Sequence, residues 1–205
     1  DVVQLLLARK EIQINQAKES GTTPLYITCQ NGHVDVVQLL LARKEIQINQ
    51  AKEGGATPLY IACENDRVDV VQLLLARKEI QINQATNDGC TPLYIACQLG
   101  RYCVAYRLLK REEIQINQAD NDGTTPLSIA CQNDRVNVVQ LLLMQYMAWG
   151  GEKIQINQAK KDGATPLYIA CQMGRADVTK KLLAREEIQV NSAIKLGKEK
   201  DSTPL

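Results

Sequence analysis

The tripeptide Thr-Pro-Leu recurs with its proline at 24, 58, 92, 126, 166 and 204, so successive copies lie 34, 34, 34, 40 and 38 residues apart. That periodicity constrains the fold more than anything else in the chain. Units of about 20–50 residues repeated in tandem build arrays in which each unit buries its apolar face against the next. A longer unit surrounds each tripeptide. In one copy it reads Glu45-Ile46-Gln47-Ile48-Asn49-Gln50-Ala51, a polar turn ending in Gly55, Thr57-Pro58-Leu59-Tyr60-Ile61-Ala62-Cys63, and then Val68-Asp69-Val70-Val71-Gln72-Leu73-Leu74-Leu75.

Each part of the unit has a local physical reading. Thr57 is placed to cap a helix through its hydroxyl, and Pro58 suits the first helical position, where a missing N–H costs nothing. Leu59, Ala62 and Cys63 share one face at i, i+3, i+4 spacing, and small Ala and Cys allow a neighbouring helix to approach closely. After Asn65-Asp66 a second helix begins, with Val68, Val71, Leu74 and Leu75 inward and Asp69 and Gln72 outward. The Ile-Gln-Ile alternation and the glycine-bearing turn read as a short extended hairpin. The unit is therefore helix, turn, helix, hairpin, with too little core to fold alone.

These residues resemble the ankyrin repeat, whose signature combines Gly-x-Thr-Pro-Leu-His-x-Ala with Gly-His-x-x-Val-Val-x-Leu-Leu-Leu. Gly21-Thr22-Thr23-Pro24-Leu25 followed by Gly32-His33-Val34-Asp35-Val36-Val37-Gln38-Leu39-Leu40-Leu41 matches it closely. The likeness covers essentially the whole chain. Two departures recur. Tyr26, Tyr60, Tyr94 and Tyr168, with Ser128 in one unit, stand where the family usually has His. The turn Ala42-Arg43-Lys44-Glu45 is one residue longer than the common form, which accounts for a period of 34. The fold expected is an all-α repeat solenoid, an ankyrin-repeat array of helix-turn-helix units with short β-hairpin loops. It is expected to form a single domain over 1–205, divided into a partial repeat 1–17, repeats 18–51, 52–85, 86–119, 120–159 (with an insertion near 144–153) and 160–193, and a partial repeat 194–205. Because the chain starts inside a second-helix pattern, Val2, Val3, Leu6 and Leu7 lack a covering helix. It therefore reads as a fragment of a longer protein.

Seven cysteines are present. Cys29, Cys63, Cys97, Cys131 and Cys171 occupy one equivalent position. Equivalent helices in a stack lie about 8–10 Å apart, whereas a disulfide needs Cα atoms about 4.4–6.8 Å apart. The column cannot pair with itself, so buried thiols in a reducing compartment are expected, cytoplasmic or nuclear. No Cys-x-x-Cys or Cys/His cluster points to a metal. No apolar run approaches the length of a membrane span. A net charge of +1, without a basic stripe interleaved with aromatics, argues against nucleic acid as partner.

Catalytic chemistry finds no constellation. The single histidine, His33, is matched in other units by Arg67, Arg101, Arg135 and Arg175, so the position asks for a polar group rather than an imidazole. No nucleophile–base pair or phosphate-cradling glycine loop is present. The expectation is a non-enzyme without cofactors, catalytic residues or metal ligands. Asn15, Asn49, Asn83, Asn117, Asn157 and Asn191 recur in the loops, where an amide can satisfy backbone groups. The resemblance also allows hydroxylation of such asparagines, although Gln47 and its equivalents replace the usual acidic residue two positions earlier.

The resemblance implies a binding surface made of hairpin tips and the open side of the first helices. Carried over by position, it comprises Glu19, Ser20, Thr22, Gln30 and Asn31; Glu53, Ala56, Glu64 and Asn65; Asn87, Asp88, Cys90, Gln98 and Leu99; Asn121, Asp122, Thr124, Gln132 and Asn133; and Lys161, Asp162, Ala164, Gln172 and Met173. Leu99 and Met173, where other units carry Asn, are either apolar anchors or ordinary exposed residues. Cys103 and Tyr106 replace the usual outward Asp and Gln of one second helix, beside Tyr102, and could form a small patch on the outer side. The insertion Met144–Gly151, with Tyr146 and Trp149, either protrudes as a contact or folds back over a neighbouring helix. The leading reading is a monomeric scaffold that binds a protein or peptide in the concave groove. The alternatives are a substrate-selecting or regulatory segment of a larger enzyme, and a spacer with little specificity.

Overall fold

The structure, a computed structural model, describes residues 13–144 and 152–190. Among them stand ten helices in five antiparallel-style pairs joined by short turns: α1 (Pro24–Asn31) and α2 (Val34–Leu41), α3 (Pro58–Glu64) and α4 (Val68–Leu75), α5 (Pro92–Leu99) and α6 (Tyr102–Leu109), α7 (Pro126–Gln132) and α8 (Val136–Met144), α9 (Pro166–Gln172) and α10 (Ala176–Leu183). Every first helix starts as its sequence dictates. Thr23, Thr57, Thr91, Thr125 and Thr165 are the N-caps, their hydroxyls accept from the amide three residues on, and proline follows at once.

First helices pack on first helices and second on second, which makes one continuous core. Its spine is Leu25, Leu59, Leu93 and Leu127, none more than 1% exposed. Between them Ala62, Ala96 and Ala130 keep the helices close, and Cys29, Cys63, Cys97 and Cys131 are fully buried. Cys171 corrects the expectation for its column: it is exposed, because no described helix stacks beyond α9. On the second helices Val37, Val71, Val104, Val139 and Val178 point into the core while Asp35, Asp69 and Gln72 face water.

The loops differ from the hairpin expectation in one respect: no strand exists among the described residues. The Ile-Gln-Ile-Asn-Gln stretch is a tight turn, closed in one unit by Gln50 N–H donating to the Gln47 carbonyl at 3.1 Å. This turn buries Ile48, Ile82, Ile116 and Ile156 beneath the loops. The glycine-bearing tip keeps a hairpin form but is only long enough for two closing bonds, Lys52 N–H to the Ala56 carbonyl and Gly55 N–H to Lys52, both 3.0 Å. Each tip also hydrogen-bonds to the next: Asn87 N–H donates to the Gly54 carbonyl and Asn121 N–H to the Asp88 carbonyl. That close approach demands glycine. A Cβ on Gly55 or Gly89 would sit 2.8 or 2.7 Å from the following tip's amide nitrogen, and both residues have φ of +85°.

Two side-chain ladders tie unit to unit. The first is asparagine. Asn83 donates to the Glu113 carbonyl at 2.7 Å and accepts from Gln115 N–H at 3.0 Å. Asn117 does the same with Lys153 (2.8 Å) and Gln155 (2.8 Å), and Asn15, Asn49 and Asn157 repeat the pattern. The second is arginine. Arg67, Arg101, Arg135 and Arg175, each just before a second helix, donate Nε–H to the carbonyls of Gln30, Glu64, Gln98 and Gln132 in the preceding unit. A cation on the last carbonyls of a helix also meets the negative end of its dipole.

Asn117 is 7% exposed, so Asn117→Ala strands a carbonyl and an amide with no replacement partner. We expect a loss of about 1–3 kcal/mol in denaturant unfolding, against a change within about 0.5 kcal/mol for the exposed Gln81→Ala. Equal effects from the two substitutions would mean that the amide bridges do not hold the stack.

Candidate protein-binding face

The tip-and-first-helix face is built from backbone that the stack already holds. Many tip amides are taken up by closing and inter-tip bonds, those of Lys52, Gly55, Thr86, Asn87, Gly89 and Asn121 among them, and the side chains stand outward from this frame. Glu53, Asn87, Asp88, Asn121, Asp122, Lys161 and Asp162 are all exposed there, as the sequence anticipates, and so are Glu19 and Ser20. Several carry local duties as well. Asn121 Nδ2 donates to the Asn87 carbonyl at 2.8 Å, which links two tips. Asp162 accepts from Ala164 N–H at 2.9 Å, and this bond, with Lys160 nearby, holds its carboxyl below the usual carboxylate range. Thr22 is half-buried, its hydroxyl 2.9 Å from that of Ser20. Ala56, Thr124 and Ala164 do not belong to the face. They are buried because their carbonyls close the tip turn from beneath.

Along the helix ends, Gln30, Glu64, Asn65, Gln98, Leu99, Gln132 and Asn133 are half-buried, while Asn31, Gln172 and Met173 are exposed. Asn65 and Asn133 turn inward. Their Nδ2 groups donate to the carbonyls of Ile61 and Ile129 at 2.9 Å and finish their own helices. Leu99 packs against the core, whereas Met173 is 45% exposed. Of the two apolar residues in this row Met173 is the more exposed, and it stands at the C-terminal end of α9, the last first helix among the described residues. Cys90 is half-buried in its tip, and burial raises its thiol above the ordinary range.

The tyrosines at the family's histidine position matter more to this face than the sequence suggests. Tyr26 and Tyr94 are nearly covered, Tyr60 is partly open, and Ser128, with no exposure, donates nothing outward and accepts from Thr125 at 3.0 Å. Lys52 from the next tip lies over the Tyr26 ring, 5.4 Å from its centroid. The Tyr94 hydroxyl donates to Asp120 of the next tip at 2.9 Å. A visible signal was the recurrence of an aromatic every 34 residues beside a variable tip.

On the opposite side, Tyr102 and Cys103 are exposed and Tyr106 is half-buried with Lys110 over its ring at 4.6 Å. Tyr102 borders a cleft of about 270 Å³ with Asn137, Gln140, Leu141 and Met144. Tyr146 and Trp149 lie outside the described residues. Among the described residues no group of three His, Cys, Asp or Glu is arranged to hold a metal, and no helix is long and apolar enough to cross a membrane.

A family model described as ankyrin repeats (3 copies) matches the chain over residues 1–86, 78–149 and 120–194. Comparison with curated proteins gives no match.

The thiols report directly on the stacking that underlies this face. Burial pushes Cys29 and Cys131 up to about 12 and Cys63 and Cys97 higher still, so all four are protonated and enclosed at neutral pH. Alkylation of the folded chain, followed by peptide mass spectrometry, is expected to modify Cys103 and Cys171 first, Cys90 more slowly, and the four buried thiols only on unfolding. Labelling of Cys63 and Cys97 as fast as Cys103 would contradict the packing of α3 and α5.

Proposed function

The chain belongs to the ankyrin-repeat family, and from that membership we propose that it binds a protein or peptide partner along the concave face of hairpin tips and first helices. Ankyrin repeats are in general protein–protein interaction modules. The observation that supports this face in particular is its contrast of rigid and variable parts. The backbone at each tip is fixed by hydrogen bonds to its neighbour, while the outward side chain changes from Glu53 to Asn87, Asn121 and Lys161 at one tip position. A preformed, extended surface loses little entropy on binding, so its affinity is not consumed in ordering loops. Free thiols throughout the described residues are consistent with a reducing compartment, which we propose as its setting.

Affinity capture by the whole chain, compared with a Met173→Asn and a Leu99→Asn/Met173→Asn variant, tests the reading. A partner that uses this face is expected to lose about tenfold or more in affinity with the double variant, the scale of a central apolar anchor. Thermal unfolding of each variant accounts for the partial packing of Leu99. A partner that binds both forms alike and is lost on Tyr102→Ser would place the interface on the outer side and contradict the proposal.

A further inference from the structure

Three internal tyrosines share one position in successive units, and two of them are closed off by the residue 26 positions later, in the next tip. At Tyr26 that residue is Lys52, whose ammonium sits over the ring. At Tyr94 it is Asp120, which accepts the hydroxyl. At Tyr60 it is Thr86, whose hydroxyl is turned into its own tip and accepts from Cys90 N–H at 3.2 Å. Tyr60 is accordingly the partly open ring of the three, and among the described residues its hydroxyl has no hydrogen-bond partner.

The surroundings of Tyr60 differ in charge as well. One helical turn on, where the equivalent residues are Gln30, Gln98, Gln132 and Gln172, this unit alone carries an acid, Glu64. Residues four apart share a helical face, so Glu64 flanks the ring. The following tip contributes the exposed Asp88 at a position where the preceding tip has Gly54. The Tyr60 hydroxyl is raised above its ordinary range by burial first, then by Cys90, Glu64, Tyr26 and Asp88, which places both carboxylates within electrostatic reach.

We propose that Tyr60, Glu64 and Asp88 form a seat for a cationic side chain, a lysine or arginine of a bound peptide, within the concave face. An aromatic face attracts a cation electrostatically, and flanking carboxylates fix its position by charge-assisted hydrogen bonds. The chain itself demonstrates the pairing one unit earlier, where Lys52 occupies the corresponding place over Tyr26. The partner is thus a peptide segment with a basic anchor, received at the second unit of the array. This rests on the concave-face reading and names the chemistry of its partner.

Three pools of short, end-capped peptides test the seat on the whole chain: lysine or arginine fixed at the centre, norleucine fixed there, and glutamate fixed there, with random flanks. The chain is expected to retain the basic pool about tenfold better than the norleucine pool, and least of all the glutamate pool. Raising salt is expected to erode the preference. Glu64→Gln/Asp88→Asn is expected to remove it. Thr86→Lys, which deletes none of the three groups and supplies an internal cation as Lys52 does, is expected to remove it too. All of these side chains are exposed or half-buried, and thermal unfolding checks that the variants fold as the parent does. Equal retention of the basic and norleucine pools, no retention of the basic pool, or a basic preference unchanged in both variants would each overturn the seat. Peptides retained without charge preference but lost on Met173→Asn would overturn the seat and leave the concave-face reading standing.

Discussion

A side-chain amide satisfied at both ends by the backbone of the next unit is the interaction on which this structure depends. Asn83 donates to one carbonyl and accepts from one amide of the following loop, and Asn15, Asn49, Asn117 and Asn157 do likewise. Helix packing alone leaves long loops free to slide, since apolar contact is not directional. The bridges fix the register. They hold each loop at one height relative to the next, so that Asn87 N–H meets Gly54 and Asn121 N–H meets Asp88. The arginine ladder performs the same office at the far end of the first helices, where Arg101 and Arg135 reach back across the seam.

That rigidity is what the proposed binding role draws on: the tip backbone is already held by its neighbours, so the side chains stand on a scaffold that does not need to order itself. The same economy explains why a single substitution changes local chemistry without disturbing the fold. Thr86 in place of a lysine opens a tyrosine ring, Glu64 in place of a glutamine sets its charge, and both sit outside the packed spine of Leu25, Leu59, Leu93 and Leu127. One recurring group is left out: the side-chain oxygens of Gln50, Gln84, Gln118 and Gln158 are buried with no hydrogen-bond partner among the described residues. The loop stack thus carries a repeated polar cost alongside its repeated bridges.

Much of this was legible in the residues. Thr-Pro marks every first-helix start to the residue, and the cysteine column falls in the core where its spacing puts it, apart from Cys171. The loops were harder. Ile-Gln-Ile has the alternation of a strand, but three residues are too few to separate an extended segment from a tight turn that buries an isoleucine. Ala56, Thr124 and Ala164 sit beside exposed tip residues in sequence yet lie under the turn, because burial there depends on which carbonyl closes the tip. Asn65 and Asn133 stand in the row that the resemblance implies for contacts, and nothing in the sequence marks that their amides also finish their own helices. The role of the recurring arginine was hidden for a different reason: its acceptor is a backbone carbonyl some 37 positions earlier, which has no sequence signature.

Hydrogen exchange on the whole chain, resolved to individual amides, tests the central claim most directly. If the asparagine bridges hold the units in register, the loop amides of Gln81, Gln115 and Gln155 are protected to the same degree as the helices beside them. Exchange of these three amides at the rate of free loop, while the helices stay protected, would show that packing alone carries the array and would contradict the account.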